Sequence, residues 1–95
     1  MARYVSLFRF TRQGVGAIKK SPNRAQAFVK ECRKSGVTVE ALLWTVGAYD
    51  GLVILKGKNQ QRILSVLAKL AAQGNIRTET LEAFDAKEFG AIIRG

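Results

Sequence analysis

Residues 37–56 have the sequence VTVEALLWTVGAYDGLVILK, and this stretch decides the fold. Its two halves are rich in β-branched and large aliphatic residues, which is typical of strands. Between them lies Gly47-Ala48, the glycine-first pair that a two-residue type II′ turn prefers. We therefore predict an antiparallel hairpin with strands at residues 37–46 and 49–56.

Both faces of the predicted strands are apolar. In the first strand of the hairpin, alternation places Val37, Val39, Ala41 and Leu43 on one side and Leu42 and Trp44 on the other. The segment at residues 3–10, RYVSLFRF, likewise has apolar side chains at both parities. Helices packed on one side of a sheet cover only one of these faces. The pattern therefore predicts that a second copy covers the other face, in a sheet-to-sheet homodimer.

Two helices are predicted between the strands. The first begins with Ser21 as N-cap and Pro22 at the first helical position, and it ends at Gly36. The second begins at Asn59, which can cap it, and ends at Gly74.

A fourth strand is predicted at residues 76–84, and the pair Asp85 and Glu88 resembles a capping box that opens a short C-terminal helix. The resulting order is β-α-β-β-α-β followed by a helix. This is the split βαβ, or ferredoxin-like, pattern of the α+β class, a four-stranded antiparallel sheet with helices on one face. No linker or repeat interrupts it, so residues 1–95 are predicted to form a single domain.

The composition excludes several classes of chemistry. The chain has 16 basic and seven acidic residues, a formal net charge of +9, no histidine and one cysteine. Ser-His-Asp and Cys-His nucleophile pairs are therefore excluded, and neither a metal site nor a cofactor is expected. The helical phase places Cys32 in the core as an inert thiol. The lone thiol, the lack of a leader-like apolar stretch and the lack of a 20-residue apolar run predict a cytoplasmic protein with no membrane association.

Positive charge is concentrated near the N-terminus. Residues 1–36 contain nine of the basic residues and one acid. Within this region Arg12, Lys19, Lys20 and Arg24 form a predicted basic patch. Such a patch can bind nucleic-acid phosphates or an anionic metabolite, but no aromatic residues alternate with these charges. A solvated helix face that aids solubility is the alternative that we favour.

Two groups of residues are candidates for a binding site. Tyr49 and Asp50 place a phenol and a carboxylate at a strand start, where they could orient a ligand or move a proton. The structural alternative is that they serve the turn through backbone hydrogen bonds and packing. The second group could line a cleft between sheet and helices or simply form part of the sheet. Its members are Trp44, Thr45, Thr78 and Thr80.

Four segments occur in an order and spacing that match a known family. They are YVSL at residues 4–7, TRQG at 11–14, WTVGAYD at 44–50 and NIRTETL at 75–81. Gly47, Tyr49 and Asp50 match a Gly-x-Tyr-Asp motif, and the chain resembles the GYD domain family from Tyr4 to Phe89. Gly51 stands where an apolar strand residue is expected. The resemblance implies a ferredoxin-like protomer of the dimeric α+β barrel superfamily, found mostly in small bacterial and archaeal proteins, and it implies no activity.

Three functions from different classes follow as hypotheses. The first is a homodimeric domain that binds a small anionic or aromatic molecule in the sheet-helix cleft. The second is a cofactor-independent enzyme, monooxygenase-like or isomerase-like, with Trp44, Tyr49 and Asp50 around the substrate; whether the protein is an enzyme stays open. The third is a nucleic-acid-binding protein that uses the basic patch.

Overall fold

The computed structural model describes residues 1–95, which form one four-stranded sheet and four helices. All strand pairs are antiparallel, in the order β2-β3-β1-β4. This order confirms the predicted α+β, ferredoxin-like topology. The elements are β1 Ala2–Phe10, α1 Arg12–Gly16, a 3-10 turn at Ile18–Lys20, α2 Ser21–Lys34, β2 Thr38–Trp44, β3 Gly51–Gly57, α3 Gln60–Ala72, β4 Ile76–Glu82 and α4 Ala86–Arg94.

The core lies between the sheet and the helices α2 and α3. Leu55 of β3, Ile63 of α3 and Cys32 of α2 have no exposed surface. Burial raises the pKa of the Cys32 thiol to about 11, with a smaller contribution from the charge of Glu31. The thiol is therefore protonated at neutral pH and is a poor nucleophile, as predicted.

A bulge in β2 changes which side chains reach the core. Val39 pairs with Leu55, but Ala41 is the next residue in register, so Glu40 is the extra residue. Because one added residue reverses the alternation, both Val39 and Leu42 pack against the core. The prediction that Val39, Ala41 and Leu43 share one face was therefore wrong. Ala41 and Leu43 lie on the opposite side of the sheet.

The connection between β2 and β3 is longer than the predicted two-residue turn. The strands end at Trp44 and resume at Gly51, and Thr45 N–H donates to the Asp50 carbonyl at 2.9 Å. The two-residue turn at Gly47-Ala48 was wrong, although Gly47 does have a positive φ of 140°. Side-chain contacts hold the ring of Tyr49 and the carboxylate of Asp50 in the loop. Local turn preferences do not include such contacts.

The helix boundaries follow their capping residues with one exception. Gly36 and Gly74 have φ values of 72° and 81°, so both helix ends use the left-handed conformation that glycine favours. The Asn59 side chain accepts from the Arg62 N–H. Ser21 is not an N-cap, because the 3-10 turn runs directly into α2 and makes Ser21 its first residue.

The C-terminal helix α4 is formed but uncovered. The predicted capping box is present, with the Glu88 N–H donating to Asp85 and the Asp85 N–H donating to Glu88. No residue of α4 is buried, and its apolar side chains Phe89, Ile92 and Ile93 are each more than half exposed. Neither α4 nor any other helix has the length and apolar character needed to cross a bilayer.

Candidate functional site

The loop between β2 and β3 is fixed to the neighbouring strand by Asp50. Asp50 N–H donates to the Phe8 carbonyl at 2.8 Å, and its Oδ2 accepts from the Phe10 N–H at 2.8 Å. Both bonds extend the β1–β3 pairing to the residue that precedes the start of β3. The carboxylate is therefore engaged by the backbone, which matches the structural alternative for this residue.

Tyr49 is engaged by side chains of β1 and β4. Its hydroxyl donates to Glu79 Oε2 at 2.8 Å, and the Arg9 guanidinium lies 4.3 Å from the centre of its ring. Arg9 Nε also donates to the Ala48 carbonyl at 2.7 Å. The hydrogen bond to Glu79 raises the pKa of Tyr49, since it stabilises the protonated phenol. Through these contacts Tyr49 acts as a clamp that holds the loop against β1 and β4. A phenol that is held in its protonated form is poorly suited to act as a general base.

A cleft opens between the inner face of the sheet and α2 and α3. Its volume is about 50 Å³, enough for several water molecules but below the size of a typical metabolite pocket. Its walls are mainly apolar and contain no acidic residue. Its lining includes Ser21, Arg24, Phe28, Leu42, Trp44 and Leu70.

Arg24 supplies the only charged side chain in the cleft. Its Nη1 donates to the Ala17 carbonyl at 2.9 Å, whereas its Nη2 is buried and has no hydrogen-bond partner. The ion pairs of the protein join Arg3 to Glu40 and Glu88, and Arg9 to Glu79, so none reaches Arg24. The guanidinium of Arg24 is therefore partly buried beside the cleft and has no ion-pair partner.

The candidate residues divide into two separate groups. Trp44 and Thr78 line the cleft. Thr80 lies beside it on β4, where its hydroxyl is 3.0 Å from that of Ser6. Thr45, Tyr49 and Asp50 belong to the hairpin loop, where Thr45 Oγ1 donates to the Tyr49 carbonyl at 2.6 Å.

Two residues of the cleft were assigned other places from the sequence. Ser21 was predicted to cap α2, but its Oγ accepts from Trp44 Nε1 at 3.1 Å. Arg24 was grouped with the solvated basic patch, but it is partly buried beside the cleft, where its Nη1 donates to the Ala17 carbonyl. The i to i+4 spacing of Arg24 and Phe28 was the available signal, because Phe28 belongs to the buried face of that helix.

The outer face of the sheet has no helix over its centre. Val5 pairs with Ile54 and Leu81, and Leu7 pairs with Leu52. These side chains point away from the core residues of the same strands, and Leu81 is more than half exposed. An apolar surface remains on this face, which agrees with the two-sided pattern in the sequence.

The other members of the basic patch are exposed to solvent. Arg12 and Lys19 lie on α1 and the 3-10 turn, and α2 adds further exposed basic residues to the helical surface of the protein. None of the ion pairs neutralises it. We refer to this surface as the basic face; its members are Arg12, Lys19, Lys20, Lys30, Arg33 and Lys34.

Comparison with curated proteins gives one relative whose name describes binding. A protein of Thermus thermophilus is 25% identical over 95 residues, which cover 99% of this chain and 100% of the relative. That protein is named glutamine synthetase and cystathionine beta-lyase binding protein.

Comparison with solved structures supports the fold. The crystal structure of TTHA0845 from Thermus thermophilus matches with a TM-score of 0.57 and 24% identity, covering 90% of this chain and 96% of that one. The C-terminal domain of the MgtC protein from Mycobacterium tuberculosis matches with a TM-score of 0.56 and 12% identity, covering 87% and 88%. The family model of the GYD domain matches residues 4–93. The resemblance seen in the four sequence segments is thus confirmed, and the chain belongs to the GYD domain family.

Proposed function

We propose that this protein is a homodimeric binding protein that engages other proteins through the basic face and a small molecule in the cleft. The observation that carries the proposal is the separation of two uncovered surfaces. The apolar outer face of the sheet and the basic face of the helices lie on opposite sides of the protomer.

The outer face is suited to a second copy of the chain. Its apolar centre is bordered by charges of both signs, with Arg3 close to Glu40 and Glu88 at one end and Arg9 close to Glu79 at the other. In an isologous interface each protomer presents the same surface, so a mixed-charge border can be complementary to itself. The exposed apolar residues of α4 would extend the contact.

The basic face stays accessible in such a dimer. If the two sheets pack against each other, α2 and α3 of both protomers lie on the outside. Two positive surfaces would then be available to partners that carry negative charge. The name of the Thermus relative supports proteins as partners, and specifically metabolic enzymes.

The enzyme hypothesis has less support. It required Tyr49 and Asp50 beside a substrate, yet their phenol and carboxylate are bonded to Glu79 and to the Phe10 backbone. The cleft contains neither of these residues.

Light scattering and binding measurements test the proposal. We expect a dimer at micromolar concentration, and a monomer would remove the role of the outer face. For partner binding, the purified protein is immobilised and exposed to glutamine synthetase and cystathionine beta-lyase from the organism that encodes it. We expect binding of at least one enzyme, weakened by added salt.

A matched pair of variants locates the partner surface. Lys19→Ala/Lys20→Ala should weaken enzyme binding, whereas Lys58→Ala/Lys69→Ala removes the same charge outside the basic face and should leave binding unchanged. Equal losses in both variants, or no binding of either enzyme, would contradict a protein partner on this face. Salt-sensitive binding of DNA or RNA that depends on Lys19 and Lys20 would instead assign the face to nucleic acid.

A further inference from the structure

A second and larger pocket lies between the outer face of the sheet and α4. Its volume is about 460 Å³, which is within the range of pockets that hold small metabolites. On the sheet it is lined by Arg3 of β1 and Lys56 of β3, which lie directly opposite each other in the β1–β3 register. Charged groups of both signs line its other side, at the start of α4. The residues there are Asp85, Lys87, Glu88 and Ala91.

Two lysines of this pocket have no acidic partner. Like charges opposite each other on neighbouring strands repel, so Arg3 and Lys56 need acidic groups nearby. Arg3 is bonded to two of them, because its Nε donates to Glu40 at 2.8 Å and its Nη1 donates to Glu88 at 3.2 Å. No ion pair of the protein includes Lys56 or Lys87. Both ammonium groups are therefore free to bind a carboxylate.

One carboxylate oxygen of the pocket is also free. Glu88 accepts from the Arg3 guanidinium and from the Asp85 N–H, and both bonds use its Oε1. Its Oε2 has no hydrogen-bond partner in the protein. The Glu88 N–H donates to Asp85 and lowers the pKa of that carboxyl, so Asp85 is ionised at neutral pH and adds negative charge beside Glu88. The same pocket can therefore accept a hydrogen bond from a cationic group of a ligand.

The balance of charge indicates the class of ligand. The pocket and its ion pairs contain three basic and three acidic side chains, so a simple anion gains little net attraction. A molecule with one charge of each sign can bond to both kinds of free group. The small side chain of Ala91 and the hydrocarbon stems of the lysines leave room for its remaining atoms. We propose that this pocket binds a free α-amino acid, with its carboxylate between Lys56 and Lys87 and its ammonium group on Glu88. This site is separate from the cleft and from the basic face, so the inference goes beyond the proposed function.

Three probes with one carbon skeleton test the inference. L-Leucine has both charges, L-leucinamide lacks the carboxylate, and isocaproate lacks the ammonium group. Amide NMR spectra of the labelled protein report where each probe binds. We expect L-leucine to shift resonances at the start of α4, the start of β1 and the end of β3, and to bind about fivefold or more tightly than either analogue. Binding of isocaproate as tight as that of L-leucine would overturn the role of Glu88 and with it the amino-acid assignment.

Variants of the pocket provide the second arm. Lys87→Gln should weaken the binding of L-leucine about fivefold, whereas Lys69→Gln on α3 removes the same charge elsewhere and should leave it unchanged. Ala91→Phe occupies the pocket from an exposed position of α4 and should abolish binding without disturbing the core. If Lys87→Gln and Ala91→Phe both bind L-leucine as the unaltered protein does, the site is wrong. If no probe shifts a resonance of the pocket, the inference fails, while the dimer, its protein partners and the cleft are tested by other measurements and are unaffected.

Discussion

At the scale of single residues, Gly51 explains how the loop and the sheet fit together. It pairs with Phe8 in the β1–β3 register, and the Phe8 ring lies across the position that a side chain would occupy. An added Cβ would overlap this ring and lie 2.5 Å from the Leu43 carbonyl oxygen. Glycine at position 51, where an apolar strand residue is expected, therefore leaves room for the Phe8 ring to lie over the neighbouring strand.

The substitution Gly51→Ala should therefore destabilise the protein. We expect a loss of about 1–3 kcal/mol in the free energy of unfolding, because the neighbouring groups are a ring in the core and a backbone atom. Gly16→Ala is the matched control, since its Cβ would meet nothing within 4 Å, and it should be neutral or stabilise by about 0.4–1 kcal/mol. Urea unfolding measures both. Equal effects would show that Phe8 can move aside.

Tyr49 gives a prediction about pH at the same scale. Its phenol is protonated while it donates to Glu79, and this bond raises its pKa above the ordinary value of 10.0. The contribution to stability is therefore complete below pH 10 and is lost as the pH rises through the folded-state pKa. Absorbance at 295 nm should show a phenol that titrates above the ordinary range in the native protein. In Glu79→Gln this titration should move back down, and an unchanged curve would argue against the clamp.

At the scale of elements, the hairpin loop shows why the predicted turn differs from the observed one. Gly47 and the flanking apolar runs gave the correct pair of strands, because those signals are local. The loop length depends on contacts with β1 and β4, residues distant in sequence. The bulge at Glu40 was not predictable either. An extra residue in β2 reverses the alternation of faces, but the strand keeps the amino-acid composition that is typical of strands. The strand order and the caps at Asn59 and Asp85 were predictable, but these departures were not.

The hairpin provides a test that separates a structural motif from a binding site. Asp50→Ala removes the acceptor for the Phe10 N–H and should cost about 1–3 kcal/mol, with faster hydrogen exchange at that amide. Asp50→Asn retains an acceptor oxygen and should lose less. Neither variant should alter ligand or partner affinity while folded. A large loss of binding in stable Asp50→Asn would return the motif to the functional site.

At the scale of elements, the cleft residues too were only partly predictable from the sequence. Trp44 and Thr78 were predicted to be near it, because alternation along strands indicates which side chains share a face. The partly buried position of Arg24 could not be derived from its place in a basic region. It depends on the close approach of the Ala17 carbonyl at the turn before α2.

At the scale of the whole molecule, the uncovered apolar surfaces predict that the stability of the fold depends on the association of two copies. The protomer is flat, measuring 48 × 31 × 18 Å along its principal axes, and α4 exposes its apolar side beyond the sheet. A protein that folds and pairs in one equilibrium becomes more stable as its concentration rises, by mass action. The melting temperature should therefore increase between micromolar and hundredfold higher concentrations.

Variants on the two apolar surfaces separate the sheet from α4 in this association. Leu7→Lys places a charge at the centre of the outer face, whereas Ile93→Ser changes the most exposed apolar position of α4. We expect Leu7→Lys to produce monomers in sedimentation measurements and to abolish the concentration dependence of melting, since a desolvated charge opposes sheet packing. Ile93→Ser should weaken the dimer less, because the sheet contact remains. If Leu7→Lys still forms dimers and Ile93→Ser does not, the interface is formed by α4, and the outer face of the sheet would be free to bind another partner.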